Sequence, residues 1–167
     1  MAEELFLDAD QEYAWRATLK GHALLVARLD ADLREHAAMS LTDYDVLVQL
    51  SEAPQRRLPM AELARAVVYS RSGLTRLVDS LERRGLVARA RSGSDRRSWY
   101  TVLTDRGLEA LENAWPVHAA GVRDHFAAHT SPDQARTLAA VFGSVIAELA
   151  PGSKELRHYH PGGRATS

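Results

Sequence analysis

The chain has 167 residues, of which 46% are hydrophobic and 26% charged, with no cysteine and a formal net charge of −1. That length can bury the core of one domain with an appendage, and the missing cysteines exclude disulfides, thiolate zinc sites and thiol redox switches. No apolar run approaches the roughly 18–20 residues of a membrane span, and the acidic start, Met1-Ala2-Glu3-Glu4, does not resemble a secretory signal, so a cytoplasmic location with no membrane partner is expected.

From Asp8 to about His36, Trp15, Leu19, Leu25 or Val26, Leu29 and Leu33 recur at helical spacing and predict one long helix. Thr42 and Asp43 open a second helix through Ser51, which Ala53-Pro54-Gln55 closes. Met60 to Val67 reads as a third, with Leu63 and Ala64 inward, and Ser70 caps a fourth a few residues later, so the pair forms a helix-turn-helix. In that fourth helix Leu74, Leu77, Val78 and Leu81 form one stripe. At about 100° per residue, the opposite face carries Ser72, Thr75, Arg76, Asp79 and Arg83. Gly85 is the C-terminal stop.

Leu86 to Arg91 and Ser98 to Leu103 alternate as two strands, with residues 92 to 97 as a polar hairpin loop between them. Thr104 caps a fifth helix running to about Ala128, and Pro116 predicts a kink near Asn113. Ser131, with Pro132 behind it, opens a sixth helix carrying Leu138, Val141, Phe142, Val145, Ile146 and Leu149. The expected fold is mainly α with a small β-wing. Residues 37–108 form a winged helix-turn-helix lobe, 8–36 and 109–150 a helical dimerisation region, and 153–167 a disordered tail. The last helix is apolar on more than one face, more than a monomer with a small wing can cover, so a homodimer is expected.

Charge is segregated along the chain. Between Pro54 and Arg106 there are 12 arginines against 5 acids, a local charge of +7 that leaves −8 for the remainder. Such a basic stripe is the electrostatic footprint of a partner that is a polyanion, here double-stranded DNA. A helix with hydroxyls and guanidiniums opposite an apolar stripe suits the major groove. Arg76 is expected to fork onto a guanine, or else to pair with Asp79 on the surface, while Thr75 and Ser72 supply hydrogen bonds. Ser70 and Arg71 sit at the helix start, where amides favour anions, and Arg89 and Arg91 on the first wing strand are phosphate candidates.

The run Ser70-Arg-Ser-Gly-Leu-Thr-Arg-Leu-Val-Asp-Ser-Leu-Glu-Arg-Arg-Gly-Leu-Val, followed by Asp95-Arg96-Arg97-Ser-Trp-Tyr-Thr-Val-Leu103-Thr104, resembles the MarR family of winged-helix transcriptional regulators, across residues 8 to 150. The resemblance implies a triangular homodimer on a pseudo-palindromic operator, with the fourth helix of each protomer in the major groove, the wing in the flanking minor groove, and a repressor's role. Arg97 matches the arginine that enters the minor groove and Asp95 the acid bracing the loop. Arg96 competes for insertion, and Asp95 also suits a plain turn residue. Many relatives release DNA when a small phenolic or anionic effector binds between the dimer helices and the winged lobe. The matching zone here holds Trp15, Arg16, Leu19, His22 and Tyr44.

Other functions fit less well. His118, His125 and His129 share a face of an ideal helix, but i to i+7 spans roughly 10 Å, leaving His125 and His129 as the one chelating pair. No metal and no cofactor are expected. No nucleophile elbow, phosphate-cradling glycine loop or His-Glu-x-x-His stretch occurs, so an enzyme is not expected. A winged helix that binds proteins instead of DNA would show an acidic or apolar face where Ser72, Thr75 and Arg76 stand.

Overall fold

Asp8 starts the first helix, α1 (Ala9–Ala37), by accepting the Gln11 amide at 2.8 Å while the Gln11 side chain accepts the Asp8 amide. The computed structural model describes residues 7–67, 71–91 and 99–150, without the side chains of Arg71 and Ser72. Ala38, left-handed at φ 53°, ends α1, and α2 (Leu41–Glu52) follows at once. Its cap is Ser40, with Asp43 closing the reciprocal box, so the helix begins earlier than Thr42. A short turn, Pro54–Arg56, has Gln55 and Arg56 both at positive φ and leads into β1 (Arg57–Pro59). Then come α3 (Met60–Ala66), α4 (Arg71–Arg83), β2 (Val87–Arg91), β3 (Trp99–Leu103), α5 (Asp105–His125) and α6 (Pro132–Leu149).

The sheet is antiparallel in the order β1-β3-β2. The strand β1 is an addition to the two expected from sequence. It pairs Arg57 with Val102 and Pro59 with Tyr100, and three residues are too few to show alternation. Helices α2, α3 and α4 pack with this sheet around a core in which Leu33, Val46, Leu47, Leu50, Leu63, Val78, Leu81 and Leu111 are fully buried. Each such side chain stabilises the fold by about 1.5–3 kcal/mol relative to exposure.

Two glycines set backbone geometry. Gly85 has φ 72° in the turn after α4, a conformation costly for side chains with a Cβ. A Cβ on Gly107 would collide with the Leu86 carbonyl oxygen, so the first turn of α5 lies directly against the chain leaving α4. Thr104 fixes the same junction: its hydroxyl accepts the Gly107 amide at 2.9 Å and donates to the Gly85 carbonyl at 2.8 Å.

Helix α5 runs through Pro116 and ends at His125, earlier than Ala128, with a separate tight turn at Ala127–His129. Glu112 and Pro116 are both exposed, so the turn weakened by the missing N–H is on the solvent side. Capped by Ser131 as expected, α6 has no buried residue: Leu138, Val141, Phe142, Val145 and Leu149 are all exposed, as are Trp15, Leu19 and Leu24 on α1. Among the described residues no helix is long and apolar enough to cross a membrane. The tail 153–167 lies outside the described residues.

Candidate nucleic-acid interface

The sequence of α4 divides the helix as its periodicity predicts. Leu74, Val78 and Leu81 are buried in the core and Leu77 is half-buried, whereas Thr75, Arg76 and Arg83 are exposed. The C-terminal end is tied to the rest of the lobe by Arg84, whose guanidinium donates to Asp43 at 2.8 Å and to the Ala38 carbonyl at 2.9 Å. Asp43 is buried and already accepts the Ser40 amide. One carboxylate thus caps α2 and anchors the end of α4, a pairing invisible in sequence because it joins distant segments.

The wing strands place three cross-strand pairs on the face turned toward the body: Val87 opposite Leu103, Arg89 opposite Thr101 and Arg91 opposite Trp99. Burial falls along this series. Val87, Leu103 and Thr101 are buried, Arg89 is intermediate, and Arg91 and Trp99 are exposed. Arg91 lies over the Trp99 ring at 5.3 Å, a cation–π pair at the outer end of the strands.

Arg89, expected on phosphate, turns inward instead. Its Nη1 donates to Glu82 Oε2 at 2.7 Å, its Nη2 to Asp79 Oδ1 at 2.5 Å, and its backbone amide to Glu82 Oε1 at 3.1 Å. The bond to Asp79 leads in holding this guanidinium more firmly protonated than usual. Sequence reasoning missed it because both acids lie on another element, and only the α4–β2 turn and strand register bring them together. Asp79 is thereby taken by Arg89, and among the described residues Arg76 makes no ion pair, leaving it exposed on the polar face. Ser70, Asp95, Arg96 and Arg97 lie outside the described residues, as do the side chains of Arg71 and Ser72.

The four residues expected around an effector are not assembled as one wall. Trp15, Arg16 and His22 are exposed on α1, and Arg16 pairs with Glu12 of its own helix. Tyr44 is buried on α2 and stacks on His118 of α5, with ring centroids 4.4 Å apart. Burial holds His118 below the usual histidine range, so its ring is neutral at pH 7. His118 therefore packs between helices rather than sharing a chelating face. His125 lies 3.4 Å from Asp32 on α1, and His129 has left the helix, which removes the i, i+4 pair. Among the described residues no group of three or more such side chains is placed to hold a metal ion.

With this geometry in hand, the comparisons with known proteins are consistent. A family model described as "MarR family" matches residues 39–98, the part of the lobe from Met39 up to but not including the second wing strand. The chain is similar to the solved structure of Sco3205 from Streptomyces coelicolor, a MarR family transcriptional regulator in complex with DNA, with a TM-score of 0.83 and 35% identity, covering 90% of this chain and 94% of that one. It is also 32% identical over 104 residues to YkoM of Bacillus subtilis, an uncharacterized HTH-type transcriptional regulator, covering 62% of this chain and 64% of the relative. To the transcriptional repressor MprA of Escherichia coli it is 35% identical over 75 residues, covering 45% and 43%. The chain thus spans less than two thirds of the length of the curated relatives it matches. An α4 polar face beside a two-strand wing, on a fold shared over nine tenths of its length with a DNA-bound regulator, leads to one conclusion: this chain belongs to the MarR family of winged-helix transcriptional regulators.

Proposed function

We propose that the protein is a repressor that binds a pseudo-palindromic operator as a homodimer. The observation that carries this reading is the division of α4: a buried stripe of Leu74, Val78 and Leu81 opposite exposed Thr75 and Arg76, with the wing's Arg91 alongside. In this reading Arg76 reads a base edge in the major groove, Thr75 and Ser72 add hydrogen bonds, and Ser70 and Arg71 hold phosphate at the helix start. Arg91 takes backbone phosphate, and Arg96 and Arg97 approach the flanking minor groove with Asp95 bracing the hairpin. Pairing through α1, α5 and α6 covers the exposed apolar faces of α1 and α6 and sets half-sites about 34–36 Å apart. Repression is supported by the similarity to MprA, itself a transcriptional repressor.

A small aromatic anion is the proposed releasing effector, bound beside the exposed Trp15, Arg16 and His22 of α1 between the paired protomers. The experiment for the DNA reading is selection of duplexes from a randomised library, followed by mobility shifts across salt. Enrichment of an inverted repeat, bound by two protomers with steep salt dependence, is the expected result; no enrichment and no shift rejects it. Titrating hydroxybenzoates into that complex tests the effector through DNA release and tryptophan fluorescence together.

A further inference from the structure

We infer that Arg89 is a positioning residue: by bridging Asp79 and Glu82 it locks the wing to the reading helix at a fixed angle and touches no DNA itself. This rests on the DNA-binding reading above.

The bridge is built from both sides. Asp79 and Glu82 are three residues apart on α4 and so project from one face of it. Arg89 reaches both with separate guanidinium nitrogens, and its own backbone amide donates to the second oxygen of Glu82. Three bonds, each to a carboxylate oxygen and so charge-assisted, leave the strand little freedom to turn about its own axis or swing from the helix. The side chain is 26% exposed, more sheltered than either acid, as a strut between two elements should be.

Its place along the strand gives the strut its purpose. Val87 and Leu103 belong to the core, and Arg89 is the next inward-facing residue of β2. Beyond it the inner face opens to Arg91 and Trp99. The link from α4 to β2 is short and contains Gly85 in a left-handed turn, so covalent connection alone does not set the angle. Arg91 lies roughly 7 Å farther along the strand, at about 3.3 Å per residue, so any error in that angle is amplified there.

Charge makes the same case. Asp79 lies on the polar face of the helix proposed to enter a polyanionic groove, where an unneutralised carboxylate opposes binding. Arg89 neutralises that charge and uses it as an anchor.

The test exploits a reversal of sign. Wild type, Asp79→Asn, Arg89→Gln, the two combined, Arg89→Glu, and Arg89→Glu with Glu82→Arg are titrated against the duplex enriched from a random library by wild type. Removing the Asp79 charge brings the protein closer to DNA electrostatically, yet the clamp predicts at least fivefold weaker binding. The Asp79→Asn/Arg89→Gln pair should lose no more than Arg89→Gln alone, and Glu82→Arg should restore most of what Arg89→Glu loses. Reselection with Arg89→Gln should keep the central preferences of each half-site and lose those at its outer edge, while thermal unfolding reports whether every variant is folded. Equal or tighter binding by Asp79→Asn overturns the clamp, because Arg89 is then a DNA contact held back by acids. Unchanged sequence preference alongside lowered thermal stability overturns it too, leaving only a structural role. If wild type binds no duplex at all, the DNA-binding reading fails and this inference with it.

Discussion

The winged lobe and the last helix treat their apolar residues in opposite ways. In the lobe, Leu47, Leu50, Leu63, Leu74, Val78 and Leu81 from three helices share one core and are inaccessible to solvent within a single chain. In α6 the same residue types recur with helical period, yet Phe142 is 41% exposed, Val145 43% and Leu149 76%. The first pattern specifies a self-sufficient unit, and the second is the apolar face that the proposed pairing covers. Local sequence writes both helices equally well; what differs is whether a partner surface exists in the same molecule.

The largest effect should come from attacking the exposed side of this contrast. Phe142→Asp together with Val145→Asp removes two anchors from each half of the proposed symmetric interface. The dimer should weaken by ~10³-fold or more, giving monomers in sedimentation at micromolar protein, with no loss of lobe secondary structure by circular dichroism. Leu47→Ala attacks the other side: it should cost about 2–5 kcal/mol of lobe stability in denaturant unfolding while the folded fraction still pairs. Arg76→Ala should leave stability and pairing alone and lose about 1–3 kcal/mol of operator binding with relaxed sequence preference.

The smallest predicted effect probes the contact between the lobe and α5, where His118 of α5 stacks on Tyr44 of α2. Burial holds the folded-state pKa of His118 below its ordinary 6.5. As pH falls below about 6.5 the unfolded chain binds the proton first, so the wild type loses stability on acidification. His118→Phe keeps the stack without a titrating group. The melting-temperature difference between variant and wild type should therefore shift in the variant's favour as pH drops from 7 toward 5, a comparison in which carboxylates elsewhere cancel. A pH-independent difference would count against a buried neutral ring.

Much of this organisation was legible in the sequence because it rests on local rules. Thr104 and Ser131 read as caps and accept the amides three residues on, and the α4 stripe follows from its spacing. What escaped was set by register and distance. The strand β1 is recognisable only through its pairing with β3. Arg89 reads as one more cation in a basic run until the turn at Gly85 folds β2 back beside Asp79 and Glu82. Tyr44 reads as part of a binding wall, yet helix packing places it against His118, a residue far along the chain. Ala127 and Ala128 are good helix formers and extend the expected α5 to about Ala128, whereas the chain turns at Phe126.

Analytical ultracentrifugation of the protein with its selected duplex, repeated across a salt series, tests the central claim most directly. The account predicts two chains per duplex and an affinity that falls steeply as salt rises. A chain that sediments alone, or that binds with an affinity indifferent to salt, would contradict it.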